Sequence, residues 1–360
     1  MKTYPYLFEK LCSLENLKLA FKKAKKGKNR KWYVREFESS LDSELAKLKT
    51  EFETQTYKPK PLRRFVIRDP KTRVIHASAF RDRVVHHAIC NIIEPIFEKV
   101  FIHDTYANRK NKGTHAGLKR FDEFKRKIAN NGQLVKNAKD NNMVTGYALK
   151  ADIKHYFDTI DLEILMKIIG KKITDEKVLQ VIKTILDNHD FKIKGKGMPL
   201  GNLTSQFFAN VYLSELDYYI KHNLKAKYYI RYVDDFIILH TSKEKLLLYK
   251  WVISNFLKQR LRLELHPEKT KIMLLHNGVN LLGFRVFYHY KLPRKSNLRK
   301  FEMKLNNLYT LTTRENNKID NINKMLEGWF GYAMHGNTYK MRKIIMKKYF
   351  YSNLSVFKCI

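Results

Sequence analysis

The amino-acid sequence predicts an α+β fold organised around a largely antiparallel sheet, and three observations carry that expectation. Segments with apolar residues at helical spacing alternate along the chain with short runs rich in β-branched and aromatic residues. Two pairs of those runs are separated only by a few turn-forming residues, which marks hairpins and not parallel crossovers. Hydrophobic residues make up 44% of the 360, enough to bury a sizeable core and too many for a disordered basic tail. At roughly 150 residues per domain, this length suggests about two or three domains.

The first fifty-odd residues read as helix. Leu17, Leu19, Ala20 and Phe21 precede a basic run of Lys22, Lys23, Lys25, Lys26, Lys28, Arg30 and Lys31, read either as a solvated face or as a contact for nucleic-acid phosphates. From Tyr33 to Thr50, Phe37, Leu41, Leu45 and Leu48 recur at spacings of three and four, the pattern of a core-facing helix. Pro59, Pro61 and Pro70 then break the helical pattern. Arg64-Phe65-Val66-Ile67-Arg68 and Arg73-Val74-Ile75-His76 form a basic hairpin through the turn Asp69-Pro70-Lys71-Thr72. Phe80 to Phe97 returns to helical spacing; His86 and His87, adjacent in sequence, project about 100° apart there and form no i, i+4 metal clamp.

Thr145 to Phe157 reads as a buried strand ending in polar residues, and Leu162 to Ile169 and Lys177 to Leu186 as helices. Gly195 to Gly201 is a glycine-rich turn, and Ser205 to His222 is helical through Phe208, Val211, Leu213 and Leu216. A second hairpin follows: Tyr228 to Val233, a tight acidic turn Asp234-Asp235, then Phe236 to His240. Beyond it lie a helix at Lys243 to Gln259, short strands at Leu261 to Leu265 and Leu281 to Phe287, and a basic segment from Lys291.

Lysine and arginine outnumber acids by 71 to 35, a formal charge of +36. Such self-repulsion points to a polyanionic partner, with nucleic acid foremost. A membrane partner is disfavoured, because no apolar run approaches the roughly 20 residues that span a bilayer and the first 31 residues have no signal-peptide core. Three widely spaced cysteines, Cys12, Cys90 and Cys359, argue against a disulfide framework and suit a reducing cytoplasm.

Against this basic background, Asp234 and Asp235 sit between two apolar strands. An unpaired carboxylate there is costly to desolvate, so a cation is expected beside it. Asp152 ends an equally apolar segment that an antiparallel sheet can bring alongside. Three carboxylates without suitable His or Cys neighbours make a hard oxygen site of the kind that suits Mg²⁺. Two such ions would activate a 3′-hydroxyl and stabilise a pyrophosphate leaving group. An Asp-Asp pair alone would more simply be a solvated turn; its apolar setting and Asp152 argue otherwise. Asp158 and Asp161 are read as starting the helix at Leu162.

Tyr232-Val233-Asp234-Asp235 resembles the Tyr-X-Asp-Asp box of reverse transcriptases. In matching order, Asp152 with Phe157 resembles the first palm motif, Gly201-Asn202-Leu203-Thr204-Ser205-Gln206 the nucleotide-binding motif, and Leu282-Gly283-Phe284 the primer grip. The resemblance runs from about Tyr57 to the C-terminus. Within that family, Pro199 to Gln206 is most similar to reverse transcriptases of diversity-generating retroelements, because Leu200 stands where most members carry Gln and Gln206 where most carry Pro. Arg81 to His87 and Arg109 to His115 resemble the same group.

The resemblance implies a right-hand polymerase: an N-terminal helical extension over 1–56, fingers over 57–145, a palm with an antiparallel sheet over 146–288 and a helical thumb over 289–360. It implies an RNA-directed DNA polymerase using deoxynucleotides and two Mg²⁺ ions, with Mn²⁺ as a substitute. Metal ligands would be Asp152, Ile153, Asp234 and Asp235. Lys269 would protonate departing pyrophosphate, Arg68 and Arg73 would hold the triphosphate, and Phe157 would exclude a 2′-hydroxyl. Leu200, Gly201 and Gln206 would contact the nucleotide, with Leu200 relaxing base selection opposite template adenine. The thumb would hold the RNA–DNA duplex through Arg294, Lys295, Arg299, Lys300 and Lys304, with Trp329 and Tyr332 beyond them, and Tyr339 to Lys348 would extend that basic surface. Implied partners are template RNA, primer or cDNA and an oligomeric accessory variability protein, in a bacterial or phage-encoded cytoplasmic system. Alternatives are a stand-alone group II intron-like or anti-phage defence reverse transcriptase, or a non-catalytic, maturase-like RNA-binding protein.

Overall fold

A computed structural model of the chain describes residues 2–69, 71–189, 193–311 and 316–350; Pro70, in the expected hairpin turn, and Cys359 lie outside them. The helices are α1 (Phe8–Cys12), α2 (Leu14–Lys25), α3 (Trp32–Ser39), α4 (Leu41–Glu53), α5 (Phe80–Glu98), α6 (Thr114–Ile128), α7 (Tyr156–Thr159), α8 (Leu162–Gly170), α9 (Glu176–Asp187), α10 (Leu203–Tyr218), α11 (Lys243–Leu261), α12 (Lys295–Leu311), α13 (Asn316–Ala333) and α14 (Tyr339–Phe350). The strands are β1 (Arg63–Ile67), β2 (Arg73–Ala77), β3 (Tyr147–Asp152), β4 (Tyr228–Tyr232), β5 (Asp235–His240), β6 (Lys271–Leu274), β7 (Val279–Leu281), β8 (Phe284–Val286) and β9 (Lys291–Pro293).

Two compact units partition the chain. The first comprises Met1–Lys110, Ala151–Phe236 and Leu248–Thr270; the second comprises Asn111–Lys150, Ile237–Leu247 and Lys271 onward. One sheet has four strands in the order β4-β5-β3-β6.

In the first unit, α2 buries Leu17, Ala20, Phe21 and Ala24 and packs on α5, whose buried face includes Val84, Val85, Ala88 and Ile89. Asn16 is sealed into that contact and donates to the carbonyls of Leu11 and Ala88. The helix expected over Tyr33 to Thr50 is broken at Ser40, whose φ of −119° and ψ of 29° leave helical geometry. Ser39 donates to the Glu36 carbonyl at 2.8 Å, the local side-chain bonding by which serine competes with helix continuation. The basic hairpin forms with Arg64 opposite His76 and Ile67 opposite Arg73. His86 is buried in α5, and burial pushes its imidazole down to about 3, a neutral packed histidine. α10 runs on into a π-helical turn at Tyr219–Asn223. The strand expected at Leu261 to Leu265 is absent: α11 reaches Leu261, Arg262 turns at φ +51°, and only Leu265 makes a bridge, to Ile153.

In the second unit, β3 pairs antiparallel with β6, Tyr147 opposite Leu274 and Lys150 opposite Lys271. β7, β8 and β9 form an antiparallel meander in place of the single strand expected at Leu281 to Phe287. Leu282 and Gly283 supply the intervening turn at φ +47° and +90°. Tyr332 donates to the Gly283 carbonyl at 2.6 Å, and a Cβ at Gly283 would lie 2.8 Å from that phenol oxygen. α12, α13 and α14 share a core of Phe301, Leu305, Leu326, Trp329 and Ile345, with Phe301 stacked on Trp329 at 4.3 Å. Among the described residues, no helix is long and apolar enough to cross a membrane.

Asp161 starts α8 as expected: its carboxylate accepts from the Ile164 amide at 3.1 Å and from Arg262 at 2.8 Å. Asp161→Ala should lower the stability of the first unit by about 1 kcal/mol, read as an earlier urea midpoint at unchanged slope. Arg262→Ala, which removes only a solvent-facing partner, should shift the midpoint less.

Candidate active site

β4 and β5 are joined by Val233 and Asp234, so the acidic turn sits one residue earlier than expected and Asp235 opens β5. Val233 adopts φ +56°. A β-branched side chain in the left-handed region costs about 1–3 kcal/mol and persists only where its surroundings hold it. The Val233 carbonyl accepts from Arg231 Nη1 at 3.0 Å.

Asp152 ends β3. Its carbonyl accepts from the His266 amide at 2.7 Å, and Ile153 bridges to Leu265 in the antiparallel sense. That contact brings the turn after Leu265 to the strand end, where Lys269 Nζ donates to Asp152 Oδ1 at 2.9 Å. Burial pushes the Asp234 carboxyl up to about 6; Asp235 and Asp152 add to the rise, while its own backbone amide and Lys269 oppose it. The three aspartates and Lys269 therefore share one electrostatic neighbourhood. Its donors are carboxylate oxygens, the chemistry that suits Mg²⁺. Among the described residues no three such side chains stand ready as ligands. Ile153 has an apolar side chain only 1% exposed, so its carbonyl is the one group it can offer an ion.

The first unit also holds a cavity of about 800 Å³, lined by Arg64, Arg73, His76, His155, Asp158 and Leu200, among others; His155 follows Asp152 by three residues. Arg73 and Leu200 were expected at a nucleotide site. Arg64 was not. It is paired with His76 across the hairpin, and cross-strand partners share a face, so the alternation of β1 carried the signal. Arg68 follows the end of β1, exposed and outside the lining. Phe157 is partly buried, with its ring 5.6 Å from Tyr156 and its carbonyl accepting from Met198; His155 and Asp158 line the cavity on either side of it in sequence. The Leu200 carbonyl accepts from the His76 amide at 2.8 Å. Gly201, at φ +116°, sits where a Cβ would fall 2.7 Å from Ile75 Cγ2. Gln206 lies exposed on the first turn of α10, outside the lining.

Carboxylates on a strand end and a neighbouring hairpin turn, in a unit that also carries an arginine-lined cavity, suit the palm of a nucleic-acid polymerase. The fold agrees. A telomerase structure from Candida albicans, in complex with a fragment of telomeric RNA, aligns at a TM-score of 0.50 and 10% identity over 85% of this chain and 58% of that one. This is the right-hand polymerase fold. Residues 58–286 match the sequence model of the reverse transcriptase (RNA-dependent DNA polymerase) family, and the chain belongs to that family. It is 26% identical to Protein YkfC of Escherichia coli over 69% of this chain and 72% of that protein. It is also 26% identical to the group II intron-encoded protein LtrA of Lactococcus lactis, over 68% of this chain and 50% of that protein, so it spans about half the length of that relative.

The raised Asp234 carboxyl has a sign that can be checked. Its folded-state value of about 6 lies above the ordinary 3.8, so the stability it contributes is present at low pH and is lost as pH rises through about 6. Without divalent ions, Asp234→Asn should melt above wild type at about pH 8, and the gap should close as pH falls below about 6. Thermal melts in chelator across that range are the measurement.

Proposed function

We propose that this chain copies a template RNA into cDNA for a diversity-generating retroelement, with relaxed selection opposite template adenines. The observation that carries this reading is Leu200, an aliphatic side chain lining the arginine-bearing cavity, with its carbonyl held by His76. A side chain at that place without donors or acceptors can discriminate only by shape, and loss of polar readout weakens rejection of wrong partners. Partners on this reading are template RNA, a primer and an oligomeric accessory variability protein, in a bacterial or phage-encoded cytoplasmic system. The extension, fingers, palm and thumb would follow the spans 1–56, 57–145, 146–288 and 289–360.

Asp152, Asp234 and Asp235, with the Ile153 carbonyl, would hold two Mg²⁺ ions, which supply charge neutralisation at the phosphates and a more acidic 3′-hydroxyl. Arg73 and Arg64 bind triphosphate oxygens through planar forks. Arg68 serves as a second, outer contact and Gln206 as a polar contact at the start of α10. Phe157 closes the floor beneath the sugar, and Gly201 keeps the backbone close to the hairpin. Lys269, which donates to Asp152 Oδ1, gives its proton to departing pyrophosphate on this reading.

A second reading, a stand-alone group II intron-like or defence reverse transcriptase, is favoured by the likeness to the intron-encoded LtrA. The two separate on fidelity. Leu200→Gln should lower misincorporation opposite template adenine in primer-extension products read by sequencing; unchanged error rates would remove the retroelement reading. Both separate from a non-catalytic RNA-binding protein on activity. Asp234→Ala with Asp235→Ala should cut Mg²⁺-dependent deoxynucleotide incorporation on primed RNA by at least about a thousandfold while RNA binding persists.

A further inference from the structure

Among the described residues Arg231 is the largest fully buried side chain, and its carboxylate partner, Asp217, is 1% exposed. Nε donates to Asp217 Oδ1 at 2.7 Å and Nη2 to Asp217 Oδ2 at 2.6 Å. Asp217 also accepts from the Tyr229 hydroxyl at 2.7 Å and from Thr105 at 3.1 Å. The remaining guanidinium nitrogen, Nη1, donates both to Asn210 Oδ1 at 3.1 Å and to the Val233 carbonyl at 3.0 Å. One planar group thus bonds α10 on one side and the strained residue before Asp234 on the other.

Buried ion pairs are weak contributors to stability, because well-packed apolar side chains of similar volume often serve as well. Packing alone does not explain a guanidinium here. What an apolar pair could not supply is a donor for the Val233 carbonyl. Asn210 and Asp217, seven residues apart, lie on one face of α10. That helix starts two residues after Gly201, and its Ala209 carbonyl accepts from the Tyr156 hydroxyl at 2.6 Å, next to Phe157. Three chemically active segments therefore meet on a single helix.

We propose that Arg231 and Asp217 are positioning residues: the pair fixes the Val233 turn to α10, so that Asp234 and Asp235 stand in register with the nucleotide-binding segment. The inference rests on the polymerase reading of the site. It concerns the carboxylates' readiness for divalent ions and not the grip on the nucleotide.

The test is Arg231→Met combined with Asp217→Leu, which fills the same volume without buried charge. Because Tyr229, Thr105, Asn210 and the Val233 carbonyl lose their partners, the urea midpoint should fall while the chain still folds, and KM for deoxynucleotide should stay unchanged. Turnover should fall at least about tenfold, and the Mg²⁺ concentration for half-maximal activity should rise at least about fivefold. Mn²⁺ binding followed by electron paramagnetic resonance should weaken in step. A folded double variant with wild-type turnover and wild-type Mn²⁺ affinity overturns the proposal. Should the double variant not fold, Arg231→Lys decides, since it keeps the charge but loses the fork. A higher Mg²⁺ requirement at unchanged KM supports the assignment, and wild-type values refute it. If the wild-type chain polymerises nothing on primed RNA, the polymerase reading fails, and Mn²⁺ affinity alone still distinguishes the variants from wild type.

Discussion

A guanidinium and a carboxylate sealed together from water set the conditions under which the rest of the palm is built. Burial alone would favour loss of the Arg231 proton, and Asp217 outweighs it, so the charge persists in the core. A dry charge must be fully hydrogen-bonded, and here that requirement recruits Asn210, Tyr229, Thr105 and the Val233 carbonyl. The same strand is clamped through its main chain: the Arg231 amide donates to Asp104 and its carbonyl accepts from Tyr106. Satisfying one ion pair thereby ties together a loop, a helix, a strand and a turn far apart in sequence.

Two opposite solutions to buried charge stand side by side in this neighbourhood. Arg231 is neutralised inside the protein, whereas Asp234 is left with its proton affinity raised by burial and like-charged neighbours. The first arrangement is permanent. The second leaves unmet demand for positive charge, which Lys269 meets in part at Asp152. This contrast gives the overall charge of +36 a local meaning: the excess lies outside a small acidic centre whose own balance is incomplete.

Much of this was legible in the sequence because the relevant signals were local. Hairpin spacing placed β1 with β2 and β4 with β5, and the apolar flanks of Asp234 identified it as a carboxylate under desolvation. Asp161 was recognisable as a helix start from its position before an apolar run. Other readings failed at single backbone positions that periodicity does not mark. The break at Ser40 depends on serine side chains bonding backward, and the missing strand after Leu261 depends on one left-handed residue, Arg262. Arg64 was visible in principle through strand alternation, whereas Arg68 lies past the end of β1 and outside the cavity lining. Arg231 was hidden for a different reason. In a chain with 71 basic residues, nothing local marks Arg231 as one that is buried, because its partner lies fourteen positions away on another element.

The contact between Gly201 and the β1–β2 hairpin bears on how such a protein changes over generations. The backbone at 200 and 201 is committed: the Leu200 carbonyl is engaged by His76, and position 201 admits no side chain. Only the side chain at 200 remains adjustable, facing the cavity from a fixed main chain. A single codon can then reshape the cavity wall at 200 while the scaffold around it stays as it is, which makes this position open to change at little structural risk.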